Sequence, residues 1–92
     1  MPEPATASGR ILVVDDQPAN LRVVSTLLSR NGYDVVPAGT GNEALEQALA
    51  HTPDLVLLDM LMPGMDGFQL LEEMRRHPQL QDMPVILSLI HI

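Results

Sequence analysis

The sequence predicts an α/β protein: one open, doubly wound parallel sheet with helices on both faces. Short apolar runs alternate along the chain with segments whose apolar residues recur at helical spacing. The runs at residues 11–14 and 55–58 are apolar throughout, as strands covered on both faces are. The resulting β-α-β-α-β-α-β order requires parallel strands joined by right-handed crossovers.

The first strand is predicted over about Arg10 to Val14, and the helix after it opens with Pro18. Proline suits the first helical turn because its missing N–H would have no partner there. Asn31-Gly32 is expected to end this helix as a left-handed cap. The predicted inward face consists of Leu21, Val24, Leu27 and Leu28.

The second strand is predicted over about Tyr33 to Val36, and Pro37 in or beside it indicates the edge of the sheet. Thr40 and Glu43 have the spacing of a capping box, so the second helix should begin just after Thr40. This helix should end before Pro53. Its predicted apolar face consists of Ala44, Leu45, Ala48 and Leu49.

The third strand is predicted over Asp54 to Asp59, followed by a loop over residues 60–67 that contains two glycine turns. A third helix comes next, with Arg75-Arg76 near its C-terminal end, where positive charge is favourable. Its predicted inward residues are Phe68, Leu71 and Met74. Pro84 then leads into a fourth apolar run.

Composition excludes several classes of function. Ninety-two residues are enough for one small domain. The net charge is −7 and Lys is absent, so binding to the phosphates of nucleic acid is disfavoured. The sequence also has no Cys, which excludes disulfides, zinc–thiolate sites and thiol catalysis.

The two ends of the sequence carry no targeting or membrane signal. Residues 1–9 lack the basic region and apolar core of a signal peptide and are interpreted as a disordered leader. The longest apolar stretch, residues 85–92, is too short to cross a bilayer. We therefore expect a soluble, cytoplasmic protein without a membrane partner.

Acidic residues end two of the predicted strands, Asp15 and Asp16 the first and Asp59 the third. In an open α/β sheet, ligands bind at the carboxyl ends of the strands. Two carboxylates about 4 Å apart repel by roughly 4 kcal/mol at an effective dielectric near 20. A site that gathers three therefore calls for a hard cation such as Mg²⁺. Helix capping would explain one of the acids but not all three.

Two segments carry a resemblance to a known family. ILVVDDQPAN at residues 11–20 and LVLLDMLMPGMDG at residues 55–67 resemble the receiver domain of two-component response regulators. The resemblance covers about Arg10 to Leu87. It implies a flavodoxin-like sheet with strand order 2-1-3-4, in which the fifth strand of the family is missing from this sequence.

The resemblance also implies roles for individual residues. Asp59 matches the aspartate that accepts a phosphoryl group from a histidine kinase or phosphotransfer protein. Asp15 and Asp16 match the pair that holds Mg²⁺, together with Asp59 and the backbone carbonyl of Leu61. The implied domain is a phosphoacceptor and not an enzyme, and its output partner is left open.

Two features depart from the family. The family's Ser or Thr at the end of the fourth strand corresponds to Leu89, and Ser88 falls one residue early. The family's Lys after the fifth strand has no counterpart, since the sequence contains no Lys. We therefore expect a partial receiver domain over residues 10–87, with an atypical tail over 88–92 and weak activity.

Other interpretations remain open at this point. Residues 39–44 match G-x-G-x-x-A, and Asp59 follows at the distance at which an acid would bind the ribose of a dinucleotide. An Mg²⁺-dependent phosphohydrolase with an aspartate nucleophile would share the chemistry, although such enzymes place D-x-D after the first strand. A receiver-like interaction module that never takes phosphate is the third alternative.

Overall fold

The computed structural model describes residues 9–59 and 67–88. The elements are β1 Arg10–Val14, α1 Pro18–Arg30, β2 Asp34–Ala38, α2 Gly41–His51, β3 Leu55–Asp59, α3 Gly67–Arg75, the 3-10 helix Pro78–Leu80 and β4 Val85–Ser88. The loop at 60–66, the final residues 89–92 and nearly all of the leader lie outside the described residues.

The four strands form one parallel sheet in the order β2-β1-β3-β4, which confirms the predicted fold class and strand order. β1 lies between two neighbours, and four of its five residues are buried. This position explains why its sequence is continuously apolar rather than alternating.

One face of the sheet carries the core. Leu12 and Val14 of β1 and Val56 and Leu58 of β3 point to this face and are fully buried. α2 packs on this face over β1 and β2, and its buried residues, Ala44 and Ala48, are small enough to allow a close approach. The remaining members of this cluster are Ala38, Ala44, Ala48, Leu70, Met74, Leu80 and Met83.

Two predicted inward residues are exposed in the structure. Phe68 is 67% exposed, and Leu70 and Met74 take the buried side of α3. Phe68 is two positions before Leu70, which places it on the opposite side of the helix. Leu27 is 54% exposed although it lies two turns after buried Asn20 on the same stripe of α1. The exposure of Leu27 is therefore set by what packs against its end of α1, and not by its position around the helix axis.

Smaller differences concern element ends. β2 begins at Asp34 and continues through Pro37 to Ala38, past its predicted end. Proline is accommodated because β2 is an outer strand of the described sheet. The 3-10 helix at Pro78–Leu80 was not predicted. Within the described residues, every helix is too short or too polar to cross a membrane.

Candidate functional site

The register of the sheet brings Asp15 and Asp59 together. Val14 of β1 is level with Leu58 of β3, so the residues that follow them emerge at the same edge. The backbone N–H of Asp15 donates to the carbonyl of Ala38 over 3.0 Å, which extends the β1–β2 pairing by one residue. The two acids are thus placed by strand pairing, as the sequence predicted.

Asp16 completes a cluster of three carboxylates. One oxygen from each of Asp15, Asp16 and Asp59 lies within 4.8 Å of the others. Asp59 is only 5% exposed, whereas Asp15 is half-buried and Asp16 is exposed. The cluster therefore has a buried end on β3 and an open end toward solvent.

Asp15 is held by its own loop. Its Oδ1 accepts a hydrogen bond from the backbone N–H of Gln17 over 2.9 Å, which orients the carboxylate before α1 begins. Gln17 is the N-cap residue of α1, and its side chain makes no capping hydrogen bond. N-terminal capping of α1 therefore does not explain the acidic pair.

The donor set fits a hard divalent cation. Oxygens around an octahedral Mg²⁺ lie about 3 Å apart when adjacent and about 4 Å apart when opposite, since each is about 2.1 Å from the ion. A spread of up to 4.8 Å needs only small side-chain movements to close, and exposed Asp16 is free to make them. Two charges 4.8 Å apart repel by about 3.5 kcal/mol at an effective dielectric near 20, and closer pairs repel more, which a cation would relieve.

The loop that matches the dinucleotide pattern has a different role. Thr40 Oγ1 accepts from the backbone N–H of Glu43 over 3.1 Å, as the capping box predicts. Glu43 Oε1 accepts from the backbone N–H of Gly39 over 2.6 Å. A pyrophosphate site needs free backbone N–H groups that point at the ligand. Here the N–H groups of Gly39 and Glu43 already donate to side chains of the same segment. The motif is a helix start.

The remaining predicted residues lie at or beyond the limits of the described residues. Leu61, predicted to offer its carbonyl, and Leu89 lie outside the described residues. Ser88 is level with Asp59 in the β3–β4 register. Asn20, a buried polar residue in the first turn of α1, was not among the predicted site residues. The available signal was its place on the apolar stripe of that helix, four residues before Val24.

Comparison with known proteins gives a consistent result. The profile of the response regulator receiver domain family matches residues 11–91. The response regulator PleD of Caulobacter vibrioides is 44% identical over 80 residues, which is 87% of this chain and 18% of the relative. Protein PilH of Pseudomonas aeruginosa is 35% identical over 78 residues, 85% of this chain and 64% of the relative.

Solved structures agree with the sequence relatives. The N-terminal domain of a response regulator receiver protein from Methanoculleus marisnigri superposes with a TM-score of 0.82 at 44% identity, covering 88% of this chain and 66% of that one. The receiver domain of a sensor histidine kinase from Pseudomonas aeruginosa, described with a magnesium ion coordinated in its active-site cleft, has a TM-score of 0.80 at 31% identity, with the same two coverages. The chain thus spans less than two thirds of the length of the proteins it matches here.

Proposed function

Since this chain belongs to the response regulator receiver domain family of two-component systems, we propose that Asp59 is its phosphoryl acceptor. The donor is a phosphohistidine on a histidine kinase or phosphotransfer protein, and the reaction takes place in the cytoplasm. Residues 10–87 form the domain that carries it out. The domain accepts the phosphoryl group and is not a catalyst that turns over a substrate.

One observation carries the proposal: the carboxylates of Asp15, Asp16 and Asp59 lie within 4.8 Å of one another at the carboxyl edge of the sheet. Asp59 is the nucleophile of choice because it ends a strand and is the most buried of the three. Asp15 and Asp16 would hold Mg²⁺ with it, and the backbone carbonyl of Leu61 would be a fourth protein ligand. When bound, Mg²⁺ would offset the negative charge of the carboxylates and the incoming phosphoryl oxygens.

The transfer itself is a single displacement at phosphorus. A carboxylate oxygen of Asp59 forms a bond to phosphorus while the phosphorus–nitrogen bond of the phosphohistidine breaks. The imidazole leaves with the electron pair of that bond and takes up a proton. The product is an acyl phosphate on Asp59. The backbone N–H of Gln17 orients the carboxylate of Asp15, which would keep a bound cation in position during the step.

An assay with acetyl phosphate and Mg²⁺ tests the proposal without a cognate kinase. We expect an acid-stable, base-labile adduct that maps to Asp59 in the wild-type chain and is lost in Asp59→Asn. Asp82→Asn is the matched control, because Asp82 is an exposed aspartate outside the cluster. The yield should be low, since the sequence has no Lys and places Leu89 where the family has Ser or Thr.

The alternatives give different outcomes in the same assay. Turnover of acetyl phosphate without a lasting adduct would indicate the phosphohydrolase, and no reaction at all would indicate the phosphate-independent interaction module. An adduct that persisted in Asp59→Asn would overturn the assignment of the acceptor. Neither alternative is supported by the relatives, which are response regulators and receiver domains.

A further inference from the structure

Arg75, the last residue of α3, makes three hydrogen bonds to one short segment of backbone. Its Nη1 donates to the carbonyls of Leu80, Gln81 and Met83 over 3.0, 2.8 and 2.9 Å. Hydrogen bonds from a charged donor are stronger than those between neutral groups. The cation therefore ties three backbone carbonyls to the end of α3, and that of Leu80 also accepts from the backbone N–H of Met83 over 3.3 Å.

The bonded segment leads directly into β4. Leu80 and Met83, at the two ends of the segment, are buried in the core, so packing already holds both ends. The next residue, Pro84, accepts a hydrogen bond from the N–H of Val56 over 3.0 Å, where β4 meets β3. Arg75 thus holds the chain one residue before the pairing of these strands begins.

The register that follows decides which residue stands beside Asp59. Val85 is level with Val56, and counting along both strands brings Ser88 level with Asp59. A slip by one residue would place a different residue there and turn every side chain of β4 to the other face. β4 has only four residues, and Ile86 and Leu87 are both exposed, so its own side chains specify the register weakly.

We propose that Arg75 is a positioning residue that fixes the register of β4 and thereby the residue opposite Asp59. The neighbouring Arg76 provides the contrast. It lies just past the end of α3 and forms a surface ion pair with Glu73 of that helix over 2.7 Å, and such pairs contribute little to stability. The proposal concerns strand pairing, and it can be tested independently of phosphoryl transfer.

Hydrogen–deuterium exchange followed by mass spectrometry tests this on a dilute solution of the 92-residue chain. Peptides covering residues 80–88 report on the segment and β4, and peptides covering 10–16 report on β1. Arg75→Met keeps a long apolar side chain at the end of α3 but removes the hydrogen-bond donors. We expect exchange at 80–88 to become about tenfold faster or more, as the loss of charge-assisted hydrogen bonds implies, while exchange at 10–16 changes much less.

Two further variants make the test specific. Arg76→Met should leave both peptides unchanged. Arg75→Lys retains a cation with three donors and should restore part of the protection at 80–88, which also gives a folded variant if Arg75→Met does not fold. Equal acceleration at 80–88 and 10–16 in the Arg75 variants would mean that Arg75 contributes only to global stability, and unchanged exchange would mean that it contributes nothing. Either result overturns the proposal.

Discussion

The three carboxylates of the acidic cluster differ in how freely each can move. Asp59 is buried at the end of β3 and Asp15 is fixed by the N–H of Gln17, while Asp16 is exposed. A cation that entered the cluster would therefore meet two carboxylates already in place, those of Asp15 and Asp59, and the carboxylate of Asp16 would have to move toward it. Affinity should be weak, because ordering the third side chain costs conformational entropy.

A titration with Mg²⁺ followed by NMR tests this arrangement. Amide shifts are expected at Asp15, Asp16 and Asp59 and in the region of Leu61. Asp16→Asn should weaken binding at least about tenfold, since even loss of an outer-shell partner has an effect of that size. Asp82→Asn should leave the affinity unchanged. Shifts centred on residues 39–44, or NAD binding there, would favour the dinucleotide interpretation instead.

Individual residues were predictable from sequence where strand register decides their place. Asp15 and Asp59 follow buried runs directly, so the parallel pairing of β1 and β3 was enough to bring them together. The contacts of Arg75 depend on the path of the chain around the 3-10 helix, which no periodicity encodes. Phe68 and Leu27 were misplaced because apolar character alone does not say which side of a helix is covered.

At the scale of elements, the end of α2 carries a local strain. Thr52 adopts φ = 41°, the left-handed conformation, and is a β-branched residue that disfavours it. Its N–H donates to the carbonyl of Ala48 over 2.9 Å, a bond that any residue other than proline retains. Thr52→Gly should therefore raise the free energy of unfolding by about 0.5–1 kcal/mol, measured by chemical denaturation.

Gly32, which follows α1, is the control for that prediction. It has φ = 89°, so Gly32→Ala should lower the free energy of unfolding by about 1 kcal/mol. A Thr52→Gly chain no more stable than wild type would show that the flexibility glycine adds to the unfolded chain cancels the strain it relieves.

The start of α2 gives a second prediction at this scale. Thr40→Ala removes the acceptor for the N–H of Glu43 and should destabilise the protein by about 1 kcal/mol in the same denaturation measurement. Thr26→Ala is the matched control in the exposed interior of α1, where alanine should be neutral or slightly stabilising. Equal effects of the two substitutions would mean that the cap contributes nothing.

Element ends were predictable where side chains define them and less so elsewhere. Pro18, Thr40 and Gly32 mark helix boundaries through fixed φ, a capping oxygen or a left-handed turn, and the structure confirms all three. β2 was placed too early because Pro37 suggested an end, whereas an outer strand accommodates proline. The 3-10 helix escaped prediction because its three residues are too short a segment to show periodicity.

The whole fold was predictable because alternation of strand and helix patterns leaves few topologies once crossovers are right-handed. The sequence alone did not predict which apolar residues of the strands and helices would be left exposed. Ile86 is 52% exposed and Leu87 is 40% exposed on β4, and Leu27 is exposed on α1. β4 is also an outer strand of the described sheet. Apolar residues on an outer strand, without a charge to block pairing, favour association between copies.

We therefore expect the 92-residue chain to self-associate, with a sedimentation coefficient that rises with protein concentration. Because the net charge of −7 opposes association between copies, added salt should screen that repulsion and strengthen association. Ile86→Lys places a charge on the outer strand and should shift the chain toward monomer, whereas Val23→Lys, at an exposed position on α1, should have a smaller effect. A concentration-independent monomer with a cooperative thermal transition in the wild-type chain would contradict this expectation and show that the described sheet is sufficient by itself.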